Sequence, residues 1–348
     1  MDKIREIERL NSLYDGRRAY FGDMHNHSNT ASGDGHFSLK EWREGMKELG
    51  MDFAAIVDHR QVEHMYHPDW EDGVFIGGSE PLAWISDSNA EFNAIHYNMI
   101  FENAKPLEKL LEAFPEYNFT GGIDGRFVYP DFKLERMREL IAFIKANGGF
   151  FVHVHPKQLM RSDDPLDYLF DEETGIEVFY VDMRDEMTEI NYILWCDLLS
   201  LGKRVWACSG EDRHNEPTTN ALTTIYSEEQ SNKSFISHLR VGDFICGSVG
   251  IKMCIGDCKM GGVCDFDGKA LAISVNDFHQ SIASPEHSYR LVLLNDKGVV
   301  ATERLTLDGD NTFVYEIENC KFYRAEVFDE TEGVRIAIGN PIWNAKRY

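Results

Sequence analysis

At 348 residues, with 43% of them hydrophobic and 27% charged, the chain has the composition of an ordinary globular protein, long enough for one large domain and one smaller one. It carries 59 acidic residues against 35 basic, a formal net charge of -24, so its overall field repels nucleic acid and anionic membrane surfaces. A phosphate-bearing substrate therefore needs a local cationic site, which bound metal ions can supply.

The opening run Met1-Asp2-Lys3-Ile4-Arg5-Glu6-Ile7 is charged and holds no apolar signal-peptide core, and no apolar stretch reaches membrane-spanning length. Together with an odd number of cysteines, seven, this predicts reduced thiols and a cytoplasmic location. Ile4, Ile7, Leu10 and Leu13 recur every three residues, which predicts an N-terminal helix over residues 1–16.

Tyr20-Phe21-Gly22-Asp23-Met24-His25-Asn26-His27 then reads as a strand ending in two histidines. Alternate side chains share a face, so His25 and His27 point the same way from the strand's C-terminal end. A polar loop with Asp34 and His36 follows. Ser38-Leu39-Lys40-Glu41 is a capping box that opens a helix stopping near Gly50. Asp52 to Val57 is the next strand, leading into Asp58-His59-Arg60, and Val74-Phe75-Ile76 leads into Glu80. His96 opens a further strand. A helical stripe of Leu134, Met137, Leu140, Ile141 and Ile144 closes at Gly148 and is followed by Phe150-Phe151-Val152 and the run His153-Val154-His155-Pro156. Gly175 to Val181 is apolar, Met187 to Leu201 helical, and Arg204 to Cys208 a strand before Asp212-Arg213-His214. Alternating strands and helices, with polar residues gathered after strands, predict a barrel of parallel strands whose chemistry sits at the strand C-terminal ends.

From about residue 251 the rhythm changes to strands separated by turns, which predicts a small antiparallel β-rich domain over 251–348 after a barrel over 17–250. The expected role is structural, covering a flank of the barrel or making a homo-oligomer contact, with a carbohydrate-binding or lid role as the alternative. Cys254, Cys258 and Cys264 fall within this change of rhythm. Their spacings do not form paired Cys-x-x-Cys hooks, so buried strand thiols are expected there rather than structural zinc.

The ordered set Asp23-Met24-His25-Asn26-His27, Asp34-Gly35, Asp58-His59, Glu80, His155-Pro156 and Asp212-Arg213-His214 resembles the PHP (polymerase and histidinol phosphatase) family over about residues 17–250. The resemblance implies an α/β fold, an irregular seven-stranded PHP-type barrel here followed by the small antiparallel β domain. It also implies a metal-dependent hydrolase with two or three divalent ions, for which zinc, manganese and iron all suit mixed imidazole and carboxylate ligands. Carried over residue by residue, His25, His27, Glu80 and Asp212 would hold one ion, and His59 and His214 a second, completed by Asp34 or His36. Glu80 would bridge to a third, held with His96 and His155. The closing stretch Arg335 to Trp343 is similar to the C-terminal part of CehA/McbA-type metallohydrolases, which are associated with ester and carbamate hydrolysis.

The expected activity is hydrolysis of a small, anionic, phosphorylated molecule by a metal-bound hydroxide at a di- or trinuclear site, with no role for membrane or nucleic acid. His25, His27, Glu80, Asp212 and Arg213 would carry it, Arg213 being the best placed of Lys157, Arg161, Arg184 and Arg213 to clamp a phosphate. The same ligands serve an esterase, amidase or carbamate hydrolase, so that alternative stays open, as does a non-catalytic binding or scaffold protein. Asp58 is expected to orient its neighbour, and His153 to be a packed imidazole near the site.

Overall fold

The short apolar runs become strands buried on both faces, as parallel strands flanked by helices require. The computed structural model describes residues 2–59, 62–117 and 130–347; Arg60, at the end of the Asp58-His59-Arg60 run, lies outside them. Arg18–Asn26 pairs in parallel with Phe53–Ile56, which pairs in parallel with Phe75–Ser79. Phe150–Val154, Gly175–Tyr180 and Trp206–Gly210 form a second parallel set. Between the two sets runs Phe92–Phe101, antiparallel to both Phe75–Ser79 and Phe150–Val154. The first and last of these strands approach each other at a parallel bridge between Asn26 and Arg213.

The sheet is therefore mixed rather than wholly parallel as expected. From Ser79 the chain reaches Phe92 through the short strand Leu82–Ile85, itself antiparallel to Phe92–Phe101. Without a crossover helix the next strand can only return antiparallel. Thr223–Ser227 likewise runs antiparallel to Arg18–Asn26 on its outer edge.

Helices cover this sheet where their apolar spacing predicts. Leu39–Leu49 begins with the reciprocal Ser38 and Glu41 capping bonds, ends at Gly50 in the left-handed region (φ 71°), and buries Leu39, Trp42 and Met46. Leu134–Ala146 buries Met137, Leu140, Ile141 and Ile144. The N-terminal helix Lys3–Leu13 forms as well, but only Leu10 of its stripe is fully buried, and Ile4 is 71% exposed. A three-residue step falls 60° short of a full turn, so four such residues span half the helix circumference and cannot all face one surface. The helix packs on strands Val249–Ile255, Ala270–Phe278 and Thr312–Glu316 of the C-terminal half.

Those strands belong to a separate sheet with Cys258–Lys259. Tyr289–Asn295, Gly298–Leu305, Phe322–Asp329 and Val334–Asn344 form an antiparallel set that joins the main sheet, because Gly339, Ile338 and Ala337 pair with Ile245, Cys246 and Gly247. A buried ionic cluster secures the join. Glu326, 2% exposed, accepts from Arg324, from Arg335 Nε at 2.9 Å and from the Tyr192 hydroxyl at 2.6 Å, while Arg335 also reaches Glu189 at 3.1 Å. Tyr192 and Glu189 stand on helix Glu186–Ser200, so one carboxylate ties the C-terminal strands to that helix. Glu326→Ala should leave the buried Arg324 guanidinium without its carboxylate, and Arg335 with only Glu189, and cost about 3–5 kcal/mol in urea unfolding; a loss under 1 kcal/mol would show that the cluster contributes little.

Candidate metal centre

Strand ends bring together side chains from residue 25 to residue 214. All nine metal candidates from the sequence fall into three overlapping groups: His25, His27, Glu80 and Asp212; His27, Asp34, His59 and His214; and Glu80, His96 and His155. Within each group, one ligand-type atom per residue lies within 4.8 Å of the others. His27 belongs to two groups, its ring stacked against those of His59 and His214, whose centroids lie 4.3 Å away in each case. Of the two loop candidates, Asp34 lies against the cluster, its Oδ2 3.2 Å from His59 Nε2 and 3.4 Å from His214 Nε2, whereas His36 is exposed and joins no group among the described residues.

Glu80 sits at the middle, 1% exposed. Its Oε1 faces His96 Nδ1 at 2.7 Å and His155 Nε2 at 3.1 Å. Its Oε2 faces His59 Nδ1 at 3.0 Å, His27 Nε2 at 3.3 Å and His25 Nε2 at 3.5 Å. One carboxylate thus divides its two oxygens between neighbouring groups, which is the geometry of a bridging ligand.

Two residues that the sequence reading passed over hold this arrangement. Glu177, 1% exposed, accepts from His25 Nδ1 at 2.9 Å through one oxygen and from the backbone N–H of His155 at 2.7 Å through the other. With Nδ1–H committed to Glu177, Nε2 is the nitrogen left to face a metal once it gives up its own proton. The available signal was a glutamate inside the apolar run Gly175-Ile176-Glu177-Val178-Phe179-Tyr180, since a charge on a doubly buried strand must have partners. Tyr180, at the end of the same strand, donates its hydroxyl to Asp212 Oδ2 at 3.1 Å and leaves Oδ1 facing His27 Nε2, also at 3.1 Å. Asp58 acts away from the cluster, accepting from Ser28 N at 2.6 Å, Ser28 Oγ at 2.7 Å and Ala31 N at 3.1 Å, which fixes the start of the Asp34 loop.

His155 (φ 29°) and Asp212 (φ 52°) both occupy the left-handed region, as does the β-branched Val181 (φ 63°). Such conformations cost about 1–3 kcal/mol each and persist where surrounding bonds overdetermine them. Arg213 is bound through its backbone on both sides, receiving from His27 N at 2.8 Å and donating to His25 O at 3.3 Å. Its side chain turns to the Glu216 carbonyl at 3.2 Å. Lys157 bonds Ser162 O and lies over the Tyr168 ring, Arg184 pairs with Asp182, and Arg161 is exposed.

The charges are strongly coupled. Burial works against a charged imidazole at His25, but Asp212, Glu177 and Glu80 outweigh it and hold the group well above its usual value. His27 is raised in the same way by Asp212 and Glu80, and His59 to about 11 by Glu80 and Asp34. In return, despite burial, Glu80 is held well below the carboxylate range by His96, His25 and His59, and Asp212 by His25 and His27. Burial and the Asp212 carboxylate keep Tyr180 a neutral phenol. The donor set fits divalent cations: imidazoles and carboxylates in contact, with His25 Nε2 and Glu80 Oε2 buried and lacking a hydrogen-bond partner among the described residues.

No family model matches the chain, and no curated protein does so either. Solved structures with distant likeness include a two-domain protein from Bacteroides vulgatus containing a predicted PHP-like metal-dependent phosphoesterase. It aligns at 14% identity over 94% of this chain and 96% of its own, with a TM-score of 0.45. A chain from Bifidobacterium adolescentis, provisionally described as a metal-dependent phosphoesterase, aligns at 17% identity over 57% of this chain and 89% of its own, TM-score 0.36. An amidohydrolase from Chromobacterium violaceum with bound sulfate and no metal aligns at 16% identity over the same 57% and 89%, TM-score 0.38. Likeness at this distance assigns no chemistry.

His153 lies beside the centre but in none of its groups; its Nδ1 donates to Tyr168 O at 3.1 Å. Burial lowers its pKa from 6.5 to about 4. Between those values the unfolded chain binds the proton and the folded chain does not, so stability is complete above pH 6.5 and falls as pH drops towards 4. Urea unfolding should show the native chain losing roughly 3 kcal/mol more over that interval than His153→Gln; equal losses would contradict a neutral, buried imidazole.

Proposed function

We propose that the chain is a metal-dependent hydrolase of the PHP type, a phosphoesterase acting on a small phosphorylated molecule. Residues 17–250 carry the centre and residues 251–348 brace it. The observation that carries this reading is the division of Glu80 between two sets of imidazoles, a placement that charge pairing alone does not require. In this reading His25, His27, Glu80 and Asp212 hold one ion, His59, His214 and Asp34 a second with His27 beside them, and Glu80, His96 and His155 a third. Zinc, manganese and iron all suit such donors.

Divalent cations held by these residues would supply an ionised water near neutral pH and neutralise charge on the phosphoryl oxygens. The rest falls to the chain's own groups. Glu177 keeps His25 in the tautomer whose Nε2 faces inward, and Tyr180 holds one oxygen of Asp212 so that the other is directed at the cluster. Arg213, whose Nε bonds the Glu216 carbonyl and whose charge works to lower the burial-raised pKa of Glu211, is in this reading the cation offered to the substrate phosphate. With a formal net charge of -24, the chain attracts a phosphate only where such local positive charge exceeds the general field.

Protein purified without chelator should contain divalent metal by elemental analysis, up to three ions per chain. It should hydrolyse members of a phosphomonoester panel; turnover confined to esters or carbamates would overturn the substrate class. His25→Ala and Asp212→Ala should lose metal and activity together while keeping a native circular-dichroism spectrum, and full turnover in both would mean that the centre lies elsewhere. Because His25 is held well above the usual imidazole value and His59 at about 11 in the metal-free chain, metal loading should release protons and tighten as pH rises. Calorimetry in buffers of differing ionisation heat reads this directly, and net proton uptake would contradict it.

A further inference from the structure

The strand that carries His96 to the metal centre runs on past it. His96 lies across from Val154, the last residue of Phe150–Val154, so residues 92–95 extend beyond the end of that neighbour. Their partner there is the short strand Leu82–Ile85, with Leu82 set against His96 and Trp84 against Ala94. Cross-strand partners share a face, as do alternate residues of one strand. Leu82, Trp84, Phe92 and Ala94 therefore stand on the face that His96 turns towards Glu80, at 2.7 Å. Ala83, Ile85 and Ile95 point the other way and are fully buried in the outer core. The Trp84 and Phe92 rings meet edge to face with centroids 5.2 Å apart, as two side chains on one side of the ribbon must.

This face is apolar yet not closed over. Phe92 is 41% exposed, Trp84 and Leu82 are half-buried, and along the strand only the methyl of Ala94 stands between His96 and Phe92. An aromatic pair left partly in water forgoes burial that would stabilise the fold, and a ligand lying against it recovers that burial. Neighbours on one face of a strand are about 7 Å apart, so the tryptophan stands one such step out from His96 and the phenylalanine two. Resting on the phosphoesterase reading, we propose that Trp84 and Phe92 form the specificity wall of the site, taking a flat apolar ring carried by the alcohol of the phosphoester two or three bonds from the ester oxygen. Hydrolysis of such an ester breaks its P–O bond, water giving a hydroxyl to phosphorus and a proton to the departing alcohol. A ring lies against one aromatic face while meeting the other at its edge, and it freezes fewer rotors than an alkyl chain of the same area. Being neutral, it also adds no charge for the chain's formal net charge of -24 to repel.

The test compares 2-phenylethyl phosphate with ethyl phosphate on the metal-loaded, full-length chain. Both esters release a primary alkoxide, so the ratio of their kcat/KM values reads the ring rather than the strength of the leaving group. The native chain should favour the phenyl ester by at least about tenfold. Trp84→Ala and Phe92→Ala should each bring that ratio below about threefold, whereas Trp84→Phe, which keeps an aromatic ring, should retain most of it. Phe92 lies at the exposed end of its strand, so its variant reads the wall without opening a core. Equal kcat/KM for the two esters, refusal of the phenyl ester, or a preference that survives in both alanine variants would overturn the wall and leave the phosphoesterase reading intact. No hydrolysis of any phosphomonoester would end that reading and the wall together.

Discussion

A carboxylate with almost no access to water governs the centre of this molecule. Glu80 would be prohibitively costly to ionise where it stands if five imidazoles did not surround it, and those imidazoles would repel one another if the carboxylate were absent. Each strand that delivers one of them is therefore fixed in register by a shared charge as well as by its apolar neighbours. The mixed direction of the sheet fits the same constraint. Phe92–Phe101 runs against its neighbours, so His96 reaches Glu80 from within a strand whereas His25 and His155 come from strand ends.

Around that carboxylate lie groups that set orientation. Glu177 spans from His25 to the backbone of His155, and Tyr180 selects which oxygen of Asp212 turns inward. Both stand on Gly175–Tyr180, a strand with no candidate ligand of its own. The strain at His155 and Asp212 is held beside these bonds, so the backbone energy spent there and the partners that sustain it occupy one small region.

The convergence of most of the nine candidate residues was legible because they follow short apolar runs, and runs of that length become strands buried on both faces; Asp34, in a polar loop, and His96, within a strand, were named only through the family resemblance or their place beside such a run. The helix at Leu39–Leu49 was equally legible from its capping box. Strand direction was not, since local pattern says nothing about whether a connection crosses over or folds back, as at Ile85 to Phe92. The N-terminal helix shows a different limit: spacing identified the element, but only the tertiary structure reveals that Leu10 packs on strands more than 200 residues later. Glu177 and Tyr180 escaped notice because a residue inside an apolar run lacks the local clustering that marked the histidines.

The join between Ile245–Gly247 and Val334–Asn344 bears on how the chain acquires its shape during synthesis. Until residues 337–339 have emerged from the ribosome, the backbone groups of Ile245, Cys246 and Gly247 along that border have no native mate, and a bare strand border invites pairing with other nascent chains. The interval of translation between these two segments is thus a period of exposure to aggregation, which ends when the distant strand arrives.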